Sequence, residues 1–212
     1  MSKKADPGKQ ATRPDVFIIE SLDFEDEEHR REGEIISRAL RMSGKKPIYH
    51  YVRTRRELEH FVDEFQRSGY RYLHLSCHGA EDGITTTFDA LDTAEFASLV
   101  GPALSRRRLF LSTCLAATRK LARGVFAASD CYSIAGPRGK IAFDDSVVLW
   151  TTFYHLMFKA DANAMKHKRM ELNLSMAGVV LDERIRLFTP AKGGGVDEKL
   201  LPPEKFVREE EV

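Results

Sequence analysis

The sequence predicts an α/β fold, a three-layer sandwich around a mainly parallel sheet of five or six strands. Two observations carry this. Short apolar runs at residues 16–19 and 109–111 sit between polar turns and lack the in-and-out alternation of a half-exposed strand, as strands covered on both faces do. Between such runs lie stretches with apolar residues at helical spacing, and strands joined by helices cross over to lie parallel.

The elements follow in order. After the first strand, an acidic turn over 23–28 precedes an amphipathic stretch with Ile35, Ile36, Ala39, Leu40 and Met42, closed by Gly44. Acids at its start and Arg38, Arg41 and Lys45 near its end suit a helix dipole. Pro47 opens a second strand over 48–52. Thr54 then caps a helix whose apolar face is Leu58, Phe61, Val62 and Phe65, ended by Gly69. A third strand over 72–77 runs into His78-Gly79. A loop or small hairpin over 83–88 and a helix over 93–104 lead to a fourth strand, 109–113, ending at Cys114. A helix from 116 to about 128, a strand around 132–135 and a long helix from 144 to about 158 complete the predicted core. Residues 1–14 and 189–212, rich in Gly, Pro and charge, read as flexible tails around one domain over 15–188.

Composition narrows the function classes. The 212 residues carry 33 Lys+Arg against 32 Asp+Glu, so no global charge draws the chain to nucleic acid. No apolar run approaches the ~20 residues that span a bilayer, and the first fourteen residues lack the apolar centre of a secretory signal. Three widely spaced cysteines, Cys77, Cys114 and Cys131, fit reduced thiols in a cytoplasm, and no Cys/His spacing suits zinc. A cytoplasmic protein without metal or cofactor is the expectation.

Open α/β sheets react at the carboxyl ends of their strands. His78 ends the third strand and Cys114 the fourth, with small residues Ala116 and Ala117 opening the next helix. Neighbouring strands lie ~4.8 Å apart, so the two side chains would meet at one rim. A thiol attacks carbonyls as its thiolate, which a nearby imidazole and a helix N-terminus favour. The backbone N–H groups of Gly79 and Cys114 would hold a developing oxyanion. The bland alternative is a core thiol beside a satisfied strand-end histidine.

The local sequences favour the pair. Leu73-His74-Leu75-Ser76-Cys77-His78-Gly79 and, further on, Leu109-Phe110-Leu111-Ser112-Thr113-Cys114 resemble the His-Gly and Cys motifs of caspase-like peptidases. More closely, residues 15–175 resemble the CHAT family, through the hairpin and helix over 83–100, the stretch 135–145, Thr152-Phe153-Tyr154-His155-Leu156, and the opening 16–21 with Glu32-Gly33. The resemblance implies a caspase-like fold and a cysteine endopeptidase with Cys114 as nucleophile and His78 as acid/base. It also implies a protein substrate and control by a separately encoded protein in a bacterial defence or cell-death setting. Ser112-Thr113 departs from relatives with an Asn-Ala or Asp-Ser pair there, so a basic residue before the cut is not indicated. A catalytically silent scaffold is the alternative. An NAD-processing signalling domain is a weaker one, resting on the first strand alone.

Other chemistry-bearing residues have plain readings. Cys77 points to the opposite face from His78 as a core thiol, and His74 is a sheet residue. Asp144 and Asp145 read as a helix cap, Asp82 and Asp89 as loop acids, and Glu20 lies at the reactive rim. Arg106-Arg107-Arg108 with Arg119, Lys120 and Arg123 reads as a solvated face, since no aromatic platform accompanies it.

Overall fold

The computed structural model describes residues 12–204. Strand β1 (Arg13–Glu20) leads through a one-turn helix α1 (Phe24–Glu27) and helix α2 (Glu32–Met42) to β2 (Ile48–Tyr51), α3 (Arg55–Ser68) and β3 (Tyr70–Ser76). Three short strands, β4 (His78–Ala80), β5 (Gly83–Thr85) and β6 (Ala90–Asp92), form a separate antiparallel sheet before α4 (Thr93–Val100) and a 3-10 turn (Gly101–Leu104). The chain continues through β7 (Arg108–Ser112), α5 (Arg119–Ala128), β8 (Ser133–Pro137), α6 (Phe143–Ala160), α7 (His167–Leu181), β9 (Ile185–Pro190) and β10 (Val196–Leu201).

The central sheet has seven strands in the order β10-β9-β8-β7-β3-β1-β2. Five are parallel, and β9 and β10 join antiparallel at one edge. The expected three-layer α/β sandwich is present, with more strands than the five or six predicted. The flexible tail expected over 189–212 is corrected for residues 189–204. Pro190 ends β9, Gly193, Gly194 and Gly195 turn the chain at positive φ, and Val196 and Leu201 bury against the sheet. The charged middle of β10 (Asp197, Glu198, Lys199) is exposed, as suits an edge strand. Arg119 fastens this edge by donating to Val196 O and Glu198 Oε2. At the other end, Arg13 and Pro14 belong to β1, and Arg13 N–H donates to Gly69 O. Residues 1–11 and 205–212, including Phe206, lie outside the described residues.

Alternation along the strands sorts the core into two clusters. Phe17, Ile19, Leu73, Leu75, Leu109 and Leu111 pack with α3, α4 and α5. Val16, Ile18, Tyr72 and Phe110 pack with α2, α6 and α7 around Trp150, Phe153 and Tyr154. Local signals set the helix ends. The Thr54 side chain accepts from Glu57 N–H while Glu57 reaches back to Thr54 N–H, and Gly69 closes α3 in the left-handed conformation.

Of the basic cluster, Arg106, Arg119, Lys120 and Arg123 are exposed as a solvated face requires, whereas Arg107 and Arg108 are not. Arg107 is buried, donates to Phe65 O and Gln66 O, and lies over the Phe65 ring. Arg108 donates to Ser133 Oγ and Met165 O. Both cations tie strand starts to neighbouring segments, because a buried guanidinium needs acceptors for its donors. Among the described residues, no helix is long and apolar enough to cross a membrane.

Candidate active site

The chain reverses its growth direction at β1. After β1 it passes to α2 on one face of the sheet, and after β3 it passes through the small sheet to α4 on the other. The loops therefore part at the carboxyl ends of β1 and β3, where α/β folds leave a crevice. In register, Glu20 pairs with Ser76 and Ser76 with Ser112, so these three end neighbouring strands at one level.

Parity fixes what lies above and below. His74, Ser76 and His78 share one face, as do Phe110, Ser112 and Cys114. His78 and Cys114 consequently rise over Ser76 and Ser112 and line one small cavity of ≈ 50 Å³. Its floor holds Glu32, Ser76, Ser112 and Ser146, and its wall Ile141 and Phe143. Cys77, of opposite parity, also borders this cavity but belongs to the other core cluster, where burial pushes its thiol well above the ordinary range. Burial likewise pushes the Cys131 thiol up to about 12.

Cys114 is half-buried, and its Sγ is 3.8 Å from Ile141 O. Among the described residues its backbone N–H donates to no protein acceptor. The next residue, Leu115, has φ 59°, an uncommon conformation for a leucine that reverses the chain just past the thiol. Ala116 N–H bonds Cys114 O at 2.7 Å and Thr118 N–H bonds Ala116 O. Helix α5 thus starts at Arg119, capped by Thr118, and not at Ala116 as expected, so no helix N-terminus abuts the thiol. Gly79 packs against this turn. A Cβ there would stand 2.8 Å from Cys114 O, so only glycine fits.

The His78 ring meets the edge of Phe143 at 5.7 Å between centroids. Its Nε2 is 3.1 Å from Asp26 Oδ2 and 3.6 Å from Asp23 Oδ2. The acidic run over 23–28 marked a turn in the sequence. Nothing in its spacing singled out the two acids that reach His78.

Beneath the pair lies a group the sequence left unassigned. Glu32, at the start of α2, is fully buried, with Ser76, Ser112 and Ser146 hydroxyls 2.7–3.2 Å from its carboxyl oxygens. Ser112 and Ser146 hydroxyls also touch at 2.5 Å. A protonated carboxyl would add a fourth hydrogen to the three hydroxyl hydrogens available for these contacts. Desolvation acts in the same direction, pushing the Glu32 carboxyl up to about 8. Burial holds His74 down to about 3, so the 3.8 Å approach of His74 Nε2 to Glu32 joins two neutral groups near pH 7. The signal for Glu32 was its spacing, four and eight residues before the buried Ile36 and Leu40.

Of the other candidates, Asp82 borders a hollow of ≈ 290 Å³ shared with His78 and Gly79. Glu20 is buried with its carboxyl raised to about 7 by desolvation, and it accepts from Gly33 N–H and Tyr49 OH. Asp89 accepts from Arg55 N–H at the start of α3. Asp144 and Asp145 stand in the first turn of α6, and its N-cap is Ala142.

No family model matches the chain, and no curated protein matches it in sequence. Among solved structures it is similar to an inactive zymogen C11 protease from Parabacteroides distasonis, at TM-score 0.59 and 12% identity over 85% of this chain. The match spans 63% of that protease chain. The shared feature is the caspase-like fold.

Proposed function

We propose that this chain is a cysteine endopeptidase of the CHAT type. The carrying observation is that His78 and Cys114 line one cavity at the parting of the β1 and β3 loops, with the Cys114 N–H unspent among the described residues. Cys114 Sγ gives its proton to His78 and attacks the carbonyl carbon of a peptide bond. The oxyanion is held by the N–H groups of Cys114 and Gly79. His78 then protonates the leaving amine, and water, deprotonated by His78, hydrolyses the thioester and returns the thiol.

The cavity accommodates a water molecule or two and no substrate side chain. The hollow of ≈ 290 Å³ lined by His78, Gly79, Asp82 and Asp92 lies beside it and has room for a substrate side chain. Control by a separately encoded partner, in a bacterial defence or cell-death setting, is what the CHAT resemblance implies.

The test is to treat a cell lysate with wild type and with Cys114→Ala and to sequence new protein N-termini. The reading expects new termini with wild type alone, once the activating partner or a lysate containing it is supplied. Identical termini from both proteins would refute it.

A further inference from the structure

We propose that Asp26 is a positioning residue for the reaction, completing a Cys114–His78–Asp26 relay in which it holds the ring so that Nδ1 takes the thiol proton. The inference rests on the peptidase reading and deepens it. Its basis is which ring nitrogen is engaged. His78 Nε2 lies 3.1 Å from Asp26 Oδ2, and a carboxylate paired with a guanidinium only accepts. Nε2 then carries the hydrogen, which leaves the Nδ1 lone pair as the base. When Nδ1 gains the thiol proton, the ring becomes an imidazolium with a carboxylate already in contact.

The contact is built from both flanks. The second oxygen of Asp26, Oδ1, accepts from Arg30 at 2.8 Å. The Arg30 guanidinium lies 5.1 Å over the Phe143 ring, whose edge meets His78. Carboxylate, guanidinium, aromatic ring and imidazole thus close a circuit in which each member limits its neighbour.

The backbone carrying Asp26 is also pinned. Thr87 donates its N–H to Ser21 Oγ and its hydroxyl to Leu22 O, and Leu22 N–H donates to Tyr51 OH. Past Asp26, Glu27 pairs with Arg53 and Arg31. Asp26 is only 15% exposed, whereas Asp23, farther at 3.6 Å, is 61% exposed. The nearer and more buried carboxylate is the one that orients the ring.

The test combines two readouts on the full chain. Long-range proton–nitrogen spectra of His78 report which ring nitrogen carries hydrogen. Site-resolved alkylation reports the reactivity of Cys114. Wild type should show the Nε2–H form. Asp26→Asn should mix the tautomers and slow Cys114 alkylation about tenfold, less than the ~10²–10⁴ contributed by a general base. Asp26→Glu should recover part of the loss, and Asp23→Asn should change the rate less than twofold. Unchanged thermal unfolding of Asp26→Asn separates these effects from misfolding. If Asp26→Asn keeps both tautomer and rate while His78→Ala slows Cys114, the peptidase reading survives and the Asp26 role is overturned. If His78→Ala leaves Cys114 unaffected, both are overturned.

Discussion

The two faces of the same strands, β3 and β7, carry opposite chemistry at their carboxyl ends. On the face covered by α3, α4 and α5, Cys77 sits among Leu75, Ile84 and Leu111, and its thiol is held neutral by burial. On the other face, His78, Cys114, Ser76, Ser112 and the buried Glu32 gather around one cavity. Cys77 and His78, adjacent at the end of β3, both border that cavity, but only Cys77 belongs to the apolar cluster. The two-residue period of the strand turns the Cys77 side chain into the apolar core and leaves His78 facing Asp26.

The largest effect should come from exchanging the two thiols. Cys114→Ala should lower peptide turnover by roughly a thousandfold or more, as loss of a nucleophile does. Cys77→Ala should leave turnover within twofold and cost about 1 kcal/mol of stability from the small cavity it leaves. Turnover assays and denaturant unfolding on both variants check this.

The histidines of β3 offer the next contrast, at two depths on one face. His78→Ala should cost about 10²–10⁴ in turnover as a lost general base. His74 Nδ1 meets Tyr154 OH at 3.0 Å in the core. His74→Ala should therefore cost about 1–3 kcal/mol of stability by leaving that hydroxyl buried without its partner. Rates and unfolding midpoints measured together would show whether depth divides catalysis from structure. Equal losses of turnover for both variants would break the comparison.

Much of this division was legible in the sequence. The five parallel strands stood out as apolar runs, the Thr54 and Gly69 helix ends as capping residues, and His78 and Cys114 as strand-end side chains, whereas β9 was not read. What escaped did so for physical reasons. Helix α7 exposes Leu172, Met176, Val179 and Val180 and buries Asn173, so its pattern does not divide cleanly into wet and dry faces. Strand β10 is charged in its middle because it is an edge. Asp26 and Glu32 look like helix-start acids, which are usually surface groups. For Asp26 only the tertiary contact with His78 sets it apart, whereas Glu32 had its place on the buried stripe of α2 before its contacts with three serines showed its role.

A pH experiment sharpens the role of Glu32. Its folded carboxyl is raised to about 8 against an ordinary 4.5, so the folded state holds a proton that the unfolded state gives up. Stability from this group is full below pH 4.5, falls as pH rises towards 8, and is flat above. Glu20 adds the same sign up to about 7. His74, held at about 3 against 6.5, acts oppositely, with stability lost as pH falls below 6.5. Glu32→Gln should thus gain stability relative to wild type between pH 5 and 8. Denaturant unfolding across that range checks it, and a pH-independent difference would mean that Glu32 is not a neutral acid in the folded protein.

The smallest effect tests the quiet face. Thr54→Ala removes the α3 cap and should cost about 1 kcal/mol, with no change in Cys114 reactivity.

The central claim is that Cys114 and His78 act as a pair. The most direct measurement is the alkylation rate of each cysteine near neutral pH, resolved by mass spectrometry, in wild type and in His78→Ala. The account predicts that Cys114 reacts far faster than Cys77 and Cys131, and that His78→Ala removes the advantage. Cys114 reacting no faster than the two buried thiols, or equally fast without His78, would contradict it.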